Sequence, residues 1–238
     1  MSAAAEDISS LIDMIKALRR VDDETWGAYA FSADLLRDRI PEEKKREMIQ
    51  KAIQCGETFA ACIVRETGES SPIAIARRFG LEIVDNSLPM IGRRKVFAQF
   101  TPPKKIELFQ EPIERYASVL ARATEQQAAQ LIPIPEINNL VLGHEIYHFV
   151  EERSADTIYT RTEKYALWRF LGFHYTSSVN ALGEIAGMAF SRKLCQVAYS
   201  PFLLDVLLFF DYNYEQTTAI FQNIMKMSEK WDQFRNQV

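Results

Sequence analysis

Two histidines lie four residues apart in the stretch NNLVLGHEIYHFVEE, residues 138–152, and a glutamate directly follows the first of them. On an α-helix, side chains at this spacing project from successive turns of one face, so His144 and His148 can both bind one metal ion about 2 Å from each ring nitrogen. Glu145 then lies beside the ion without binding it and can activate a water bound to the ion. The pattern predicts a zinc site in which Glu145 is the catalytic general base.

The alternative interpretation of the same stretch is a helix that carries two hydrogen-bonded core histidines. Ile137, Leu140 and Val141 share a helical face with His144 and His148, and this face is predicted to be the buried one. A buried neutral imidazole must find partners for both of its ring nitrogens. A shared metal ion provides one partner for each ring at once, which favours the metal site.

A catalytic zinc needs a third protein ligand and one open position for water. Glu151 and Glu152 continue the same helix and would lie along its axis, so they are interpreted as solvated acids of the last turn. Glu184, in SSVNALGEIAGMAFSRKLC, lies among apolar residues, where a buried acid requires a partner. The small residues Ala186 and Gly187 permit another helix to approach closely. Glu184 is therefore the predicted third ligand, and a buried ion pair with an arginine is the alternative.

The elements around these motifs indicate a mostly helical α+β protein. Apolar residues recur at helical spacing through the first 66 residues, where Pro41 begins a new helix. Further helices are predicted for residues 112–129, 136–152, 163–171, 179–198, 202–210 and 214–234. The segments LEIVD, KVFAQF and KIELFQ are strand-like and predict a small, roughly three-stranded antiparallel sheet packed on helices.

The linker TGESSP divides the chain into an N-terminal helical region, residues 1–68, and a metallopeptidase-like domain with C-terminal helices, residues 69–238. The two are expected to form one compact unit. The composition, with 47% hydrophobic and 25% charged residues, is that of a soluble globular protein. A net charge of −4 provides no general attraction to nucleic acid or anionic lipid, so neither partner is expected.

The chain is expected to be cytoplasmic. Its first residues, MSAAAEDISSLID, lack the basic and apolar regions of a signal peptide, and the apolar run PFLLDVLLFF is too short for a membrane span and contains Asp205. An odd number of cysteines without CxxC spacing indicates reduced thiols: Cys55, Cys62 and Cys195. The basic clusters at 93–95 and 104–105 are interpreted as the solvated rim of a hairpin.

The two motifs together resemble the ImmA/IrrE family of zinc metallopeptidases over roughly residues 70–200. The second motif of that family reads approximately E-x-x-A-N-x-F-A-x-x-L-L. In EIAGMAFSRKL, Glu184 matches its glutamate, Phe190 its phenylalanine and Leu194 its leucine. Upstream, PIAIARRFGLEIVD resembles the opening helix and strand of the family.

This resemblance implies a thermolysin-like gluzincin core, with Zn²⁺ held by His144, His148 and Glu184 and with Glu145 as the general base. It also implies that the chain cuts or regulates a partner protein, often a transcriptional repressor. No helix-turn-helix is evident in this sequence. A helix-turn-helix repressor would therefore be a separate chain encoded nearby.

The sequence departs from the family pattern at positions where helices pack. Tyr147 stands where the first motif, HELGH, has glycine, Gly187 and Met188 replace Ala-Asn, and the Leu-Leu-x-Pro ending has become Leu194-Cys195. The four residues of the implied zinc site are all present. The main hypothesis is a zinc-dependent endopeptidase acting on a protein substrate. The alternative is a zinc-binding regulatory or interaction protein with a gluzincin fold and little hydrolysis, in which Tyr147 or the N-terminal helices occlude the site.

Zinc peptidases also need a donor that stabilises the oxyanion, commonly a Tyr or His from another element. The candidates between the two motifs are His174, Tyr175, Tyr159 and Tyr165. The segment GFHYTSS, which contains two of them, is predicted to be a loop. The strand KVFAQF or the strand KIELFQ is a candidate edge along which an extended peptide can bind through its main chain, and an ordinary interior strand is the alternative.

Overall fold

The first part of the chain folds as four helices. The fold is given by a computed structural model that describes residues 3–88, 96–170 and 173–235. The helices are α1 (Ala3–Leu18), α2 (Asp23–Ser32), α3 (Glu42–Thr67) and α4 (Pro72–Phe79). The side chain of Asp22 begins α2 by accepting a hydrogen bond from the Thr25 amide. Gly68 ends α3 in the left-handed region, with φ 71°, which glycine adopts without steric cost.

A three-stranded sheet follows, in the order β1-β3-β2. Its strands are β1 (Glu82–Asn86), β2 (Ala98–Thr101) and β3 (Lys105–Phe109). β2 pairs with β3 in the antiparallel direction, but β1 pairs with β3 in the parallel direction. The prediction of an antiparallel sheet is therefore wrong for one pair. The short turn at 102–104 forces β2 and β3 to be antiparallel, whereas the longer connection from β1 to β3 permits a parallel crossover.

The second half of the chain is mainly helical, as predicted. Its elements are α5 (Gln110–Arg122), α6 (Glu125–Ala128), α7 (Ile134–Arg153), α8 (Tyr159–Thr162), β4 (Lys164–Phe170), β5 (Phe173–Ser178), α9 (Ala181–Cys195), a 3-10 turn (Pro201–Leu203), α10 (Leu204–Phe210) and α11 (Tyr214–Arg235). The single helix predicted for 112–129 is two helices, because Thr124 forms a capping box with Gln127 and begins α6. Within the described ranges, no helix combines the length and apolar character that a membrane span requires.

The helix predicted for 163–171 and the loop predicted for GFHYTSS are both wrong within the described residues, because 164–170 form β4 and 173–178 form β5. Residues 171 and 172 lie outside the described part of the structure. The two strands pair in the antiparallel direction and make a separate two-stranded sheet. Trp168 stacks on Tyr175 across the hairpin, with ring centroids 6.2 Å apart. Cross-strand aromatic pairs of this kind stabilise a hairpin, and they depend on pairing that the spacing within one segment does not reveal.

The core is built around α9, which packs between α3 and α7. Gly56 of α3 lies where α3 and α9 approach most closely. A Cβ at this position would lie 2.1 Å from the Ala186 carbonyl oxygen and 2.9 Å from the Phe190 amide nitrogen. The N-terminal helices and the helices that carry the two motifs thus share one hydrophobic core.

We predict that Gly56→Ala destabilises the chain by about 2 kcal/mol or more, because the added methyl group overlaps the backbone of α9. This loss outweighs the gain in helix propensity of about 1 kcal/mol. Urea denaturation measures the change. Thr58→Ala, at an exposed position of the same helix, is the control and should change the free energy of unfolding by less than about 0.5 kcal/mol. A Gly56→Ala chain as stable as the wild type would contradict the close packing of α3 on α9.

Candidate metal centre

His144 and His148 lie on α7 and line one cleft of about 400 Å³. The other walls of the cleft come from β2, α8, α9, the 3-10 turn and α10. The two rings face each other edge to face, and their Nε2 atoms are 3.0 Å apart. Two imidazole lone pairs repel each other at this distance, so either a proton or a cation must lie between them. The i, i+4 spacing thus brings both ring nitrogens to one point, as predicted.

Glu184 reaches the same point from the first turn of α9. Its Oε2 lies 3.4 Å from Nε2 of His144, and its Oε1 lies 3.9 Å from Nε2 of His148. The prediction that Glu184 is buried is wrong, because its side chain is 51% exposed and opens onto the cleft. A metal ligand has to face the space that the ion occupies, so this exposure is compatible with the predicted role.

The start of α9 is fixed by residues outside the two motifs. The carboxylate of Asp34, which is buried, accepts a hydrogen bond of 2.9 Å from the Ala181 amide, one of the amides that has no partner within the helix. Farther along α9, Ser191 donates to the Leu140 carbonyl of α7 at 2.6 Å. These two bonds determine where the first turn of α9, and therefore Glu184, lies relative to the histidines.

The spacing of the three ligands fits a tetrahedral ion. Metal bonds of 2.0–2.1 Å at tetrahedral angles place neighbouring ligand atoms about 3.3 Å apart. The distances of 3.0, 3.4 and 3.9 Å observed among His144, His148 and Glu184 lie around this value. One ligand atom from each residue falls within 4.8 Å of the other two. These three residues therefore form a group that can hold a metal ion.

The backbone of α9 at Gly187 leaves room for the His144 ring. A Cβ at this position would lie 2.8 Å from Nδ1 of His144 and 2.9 Å from its Cε1. The absence of a side chain at Gly187 therefore allows the imidazole to pack directly on the helix backbone. Nδ1 of His144 is buried there and has no hydrogen-bond partner among the residues that the structure describes.

The electrostatics of the cleft favour a cation. Burial lowers the pKa of His144, but the carboxylates of Glu184, Glu145 and Asp205 outweigh it and raise this pKa to about 9. Burial and the nearby Glu184 raise the pKa of the Asp205 carboxyl to about 6, against the lowering effect of a hydrogen bond from Tyr29. Several negative groups therefore share a poorly solvated site, where a divalent ion would offset their repulsion.

Glu145 lies on α7 beside the ligands and reaches the sheet. Its Oε2 accepts a hydrogen bond of 2.6 Å from the Phe100 amide of β2, and the residue is buried. Both residues line the cleft together with the two histidines. The carboxylate therefore lies between the metal-binding group and the edge strand of the sheet, where it can exchange protons with a molecule bound in the cleft.

The interpretation of Glu151 as a solvated acid is wrong. Glu151 is buried, and its Oε2 lies 3.7 Å from Nδ1 of His148, on the side of the ring that faces away from Glu184. Burial raises its pKa, but His148, Thr160 and Arg161 outweigh burial and lower it. Glu152 is exposed as predicted and pairs with Arg161 at 2.9 Å.

None of the predicted oxyanion donors is among the described residues that line the cleft. Tyr175 is exposed on the hairpin, Tyr165 donates to the Arg39 carbonyl, and the hydroxyl of Tyr159 is buried without a partner. His174 lies on β5, and its side chain falls outside the described part of the structure.

Two cleft residues were not identified as site residues from the sequence. Arg161 follows Thr160 on the short helix α8, and Asp205 lies on α10 within the apolar run PFLLDVLLFF. The sequence contains a signal that identifies Asp205 as a candidate site residue, because an acid in an otherwise apolar helix rarely lacks a partner. Here it accepts a hydrogen bond of 3.2 Å from Tyr29.

We predict that the purified chain binds about one zinc ion, and that His144→Ala and Glu184→Ala each abolish most of this binding, because each removes one of three ligands. Metal analysis after dialysis against trace zinc measures the stoichiometry. Glu66→Gln is the control, since it removes an exposed carboxylate that pairs with Arg153 away from the cleft. Full zinc occupancy in Glu184→Ala would contradict the assignment of the third ligand.

We further predict that Gly187→Ala weakens zinc binding by about tenfold or more, because its methyl group would displace the His144 ring. Lys193→Ala, an exposed position on the same helix, should leave the zinc dissociation constant unchanged. Competition with a chromophoric chelator measures both constants. Wild-type affinity in Gly187→Ala would show that the ring does not need the space that this glycine provides.

Comparison of the chain with protein-family models, with curated proteins and with solved structures found no match in any of the three. The resemblance to the ImmA/IrrE peptidases, and the gluzincin core that it implies, therefore stay predictions based on the motif residues. What the structure adds is a His-His-Glu group that can hold a metal ion, with a glutamate and an edge strand beside it.

Proposed function

We propose that this chain is a zinc-dependent metallopeptidase that hydrolyses a peptide bond in a protein substrate. The observation that carries the proposal is the convergence of His144, His148 and Glu184 beside Glu145 in one cleft. Two imidazole nitrogens and one carboxylate, with an open fourth position, are a typical ligand set for catalytic zinc. When bound, zinc polarises a carbonyl group and lowers the pKa of a water molecule to about 7.

Glu145 is the proposed general base. Its carboxylate accepts a proton from the attacking water molecule and delivers the proton to the amine that leaves when the C–N bond breaks. The hydrogen bond from the Phe100 amide holds one oxygen of this carboxylate at 2.6 Å. The other oxygen is thereby oriented by the edge strand rather than by a flexible side chain, which supports a role in positioned proton transfer.

The edge strand β2 supports an extended peptide as the substrate. In an antiparallel pair, alternate residues turn their backbone groups away from the partner strand. The Phe97 carbonyl bonds to β3, whereas the Phe100 amide bonds to Glu145, so the backbone of Ala98 and Phe100 faces away from β3. Both residues line the cleft. A peptide added to this edge would run past the metal-binding group, with its main chain bound by the backbone of Ala98 and the Phe100 carbonyl, since the Phe100 amide already donates to Glu145.

The alternative, a zinc-binding regulatory protein with little hydrolysis, requires something to occlude the site. Among the described residues that line the cleft, none comes from α1, α2 or α3. Tyr147 is fully buried, and its hydroxyl contacts Thr160 and Cys55 rather than the cleft. Neither of the two expected causes of occlusion is therefore favoured by the geometry, and hydrolysis is the function that we propose.

The protein partner would be the substrate itself. A cleft bounded by an open strand edge suits an unfolded or extended segment of another chain better than a compact domain. A helix-turn-helix repressor encoded beside this chain is the partner suggested by the sequence resemblance, and it is the first protein to test as a substrate.

We predict that zinc-loaded wild type cleaves peptides and that Glu145→Gln lowers the cleavage rate by about 100-fold or more, because glutamine cannot accept the proton. The substrates are a mixture of random-sequence peptides and any helix-turn-helix protein encoded next to the gene, with products identified by mass spectrometry. Zinc content measured on the same samples should be equal in the two chains.

Glu107→Gln is a matched control that removes a carboxylate from β3, outside the cleft. Cleavage by Glu145→Gln at the wild-type rate would exclude Glu145 as the base. Absence of cleavage by the zinc-loaded wild type on every substrate would support the regulatory alternative instead.

A further inference from the structure

A buried carboxylate, that of Glu151, lies next to Nδ1 of the second histidine, whereas Glu184 lies next to Nε2 of the same ring. We propose that Glu151 is a positioning residue that holds the His148 ring with Nε2 directed at the metal site, and that α8 holds Glu151 in turn. This inference rests on the proposed metal site and adds a residue that neither HExxH nor the second motif contains. Glu151 follows His148 by three positions on α7, so the two side chains lie on the same helical face.

The His148 ring is placed between two carboxylates. Its Nδ1 lies 3.7 Å from Oε2 of Glu151, and its Nε2 lies 3.9 Å from Oε1 of Glu184. A carboxylate near Nδ1 favours the tautomer that carries its proton on this nitrogen, which leaves the lone pair of Nε2 free for a metal. Glu151 would therefore determine both the orientation of the ring and the nitrogen that binds.

Two neighbouring residues of α8 fix the Glu151 carboxylate. The hydroxyl of Thr160 donates to its Oε1 at 2.6 Å, and Nε of Arg161 lies 3.3 Å from its Oε2. Each oxygen thus has its own partner, and Glu151 is only 6% exposed. On the opposite side, a Cβ at Gly183 would lie 3.0 Å from Oε1, so α9 leaves space for the carboxylate there. A side chain held this tightly can restrain the ring beside it.

The network continues to Tyr147, the residue that replaces glycine in the HELGH pattern. Its hydroxyl lies 3.0 Å from Oγ of Thr160, and both side chains are buried. Because Thr160 uses its only hydroxyl proton on Glu151, it must accept the proton of Tyr147. The direction of donation therefore runs from Tyr147 through Thr160 to Glu151. Tyr147 and Glu151, which both lie on α7, are therefore joined through Thr160 in one chain of hydrogen bonds.

The two histidines are supported in different ways. Within the described ranges, Nδ1 of His144 has no hydrogen-bond partner, and its ring is confined by packing on Gly187. Nδ1 of His148 instead faces Glu151. A carboxylate behind a metal-binding histidine raises the basicity of the ring and fixes its rotation, and the loss of such a partner typically weakens metal binding by about 10–100-fold. Removal of the Glu151 carboxylate is therefore expected to weaken metal binding through His148 by a similar factor.

The test compares Glu151→Gln with Glu152→Gln in the full chain. Both residues lie on α7 and pair with Arg161, but only Glu151 faces His148. We expect Glu151→Gln to raise the zinc dissociation constant about 10–100-fold and Glu152→Gln to leave it unchanged. Competition with a chromophoric chelator gives both constants, and thermal unfolding of the metal-free chains reports on stability separately.

A second readout is the ring N–H of His148 in the zinc-loaded chain, observed by nitrogen-edited NMR. The sequence has only three histidines, which keeps this region of the spectrum sparse. We expect a slowly exchanging Nδ1–H proton in the wild type and in Glu152→Gln, and faster exchange in Glu151→Gln. A role in stability alone would lower the unfolding temperature without changing the zinc constant or this signal.

Thr160→Val provides a milder variant if Glu151→Gln does not fold, since it removes only the hydroxyl that donates to Glu151. It should weaken zinc binding in the same direction by a smaller factor. Equal zinc affinity in wild type, Glu151→Gln and Thr160→Val would overturn the positioning role while leaving the proposed peptidase intact. If the wild type binds zinc, and Glu151→Gln and Thr160→Val weaken this binding, but no peptide is cleaved, the proposed function fails and the role of Glu151 stands. A wild type that binds no zinc would refute both.

Discussion

The contact between α7 and α9 at Gly187 helps to bring together the three residues that can hold a metal ion. His144 and His148 belong to one helix, so their relative position follows from helix geometry. The position of Glu184 relative to them depends instead on how closely α9 approaches. Gly187 lies one turn after Glu184 and has no Cβ, so the His144 ring packs on the α9 backbone next to the ligand. A side chain at this point would move the carboxylate and the ring apart.

The rest of the fold keeps α9 in this position. Asp34 caps its first turn, Ser191 bonds to α7, and Arg192 forms ion pairs with Asp23 of α2 and Glu57 of α3. Three of these partners come from the chain before residue 68, which contains none of the motif residues: Asp23 and Glu57 lie on helices, and Asp34 lies in the turn after α2. A partly buried ion pair contributes little net stability once the desolvation of its charges is counted, but it restricts the arrangement of the elements that it joins. The helical region before residue 68 therefore helps to position the site.

The convergence of three residues in the cleft was more predictable from the sequence than their surroundings. Local spacing and the two motifs were enough to select His144, His148 and Glu184, although Glu184 faces the cleft and is not buried as its apolar neighbours suggested. The burial of Glu151 could not be predicted, because it depends on α8 folding back over the end of α7. The hairpin after α8 was missed for the same reason, since the strand pairing of 164–170 with 173–178 is a contact between segments. The parallel pairing of β1 with β3 likewise has no local signal.

On α7, the helical spacing of apolar residues predicts only part of the burial. Ile137, Leu140 and Val141 are buried as the pattern predicts, yet residues on the opposite side of the helix are buried as well. A central helix contacts partners in every direction, so its polar residues must form hydrogen bonds with neighbouring elements instead of with water. Glu145 accepts a hydrogen bond from β2, and Glu151 accepts one from α8. Each acid joins α7 to one neighbouring element, and His144 and His148 face α9. The polar residues of this helix thus connect the three elements that enclose the proposed metal.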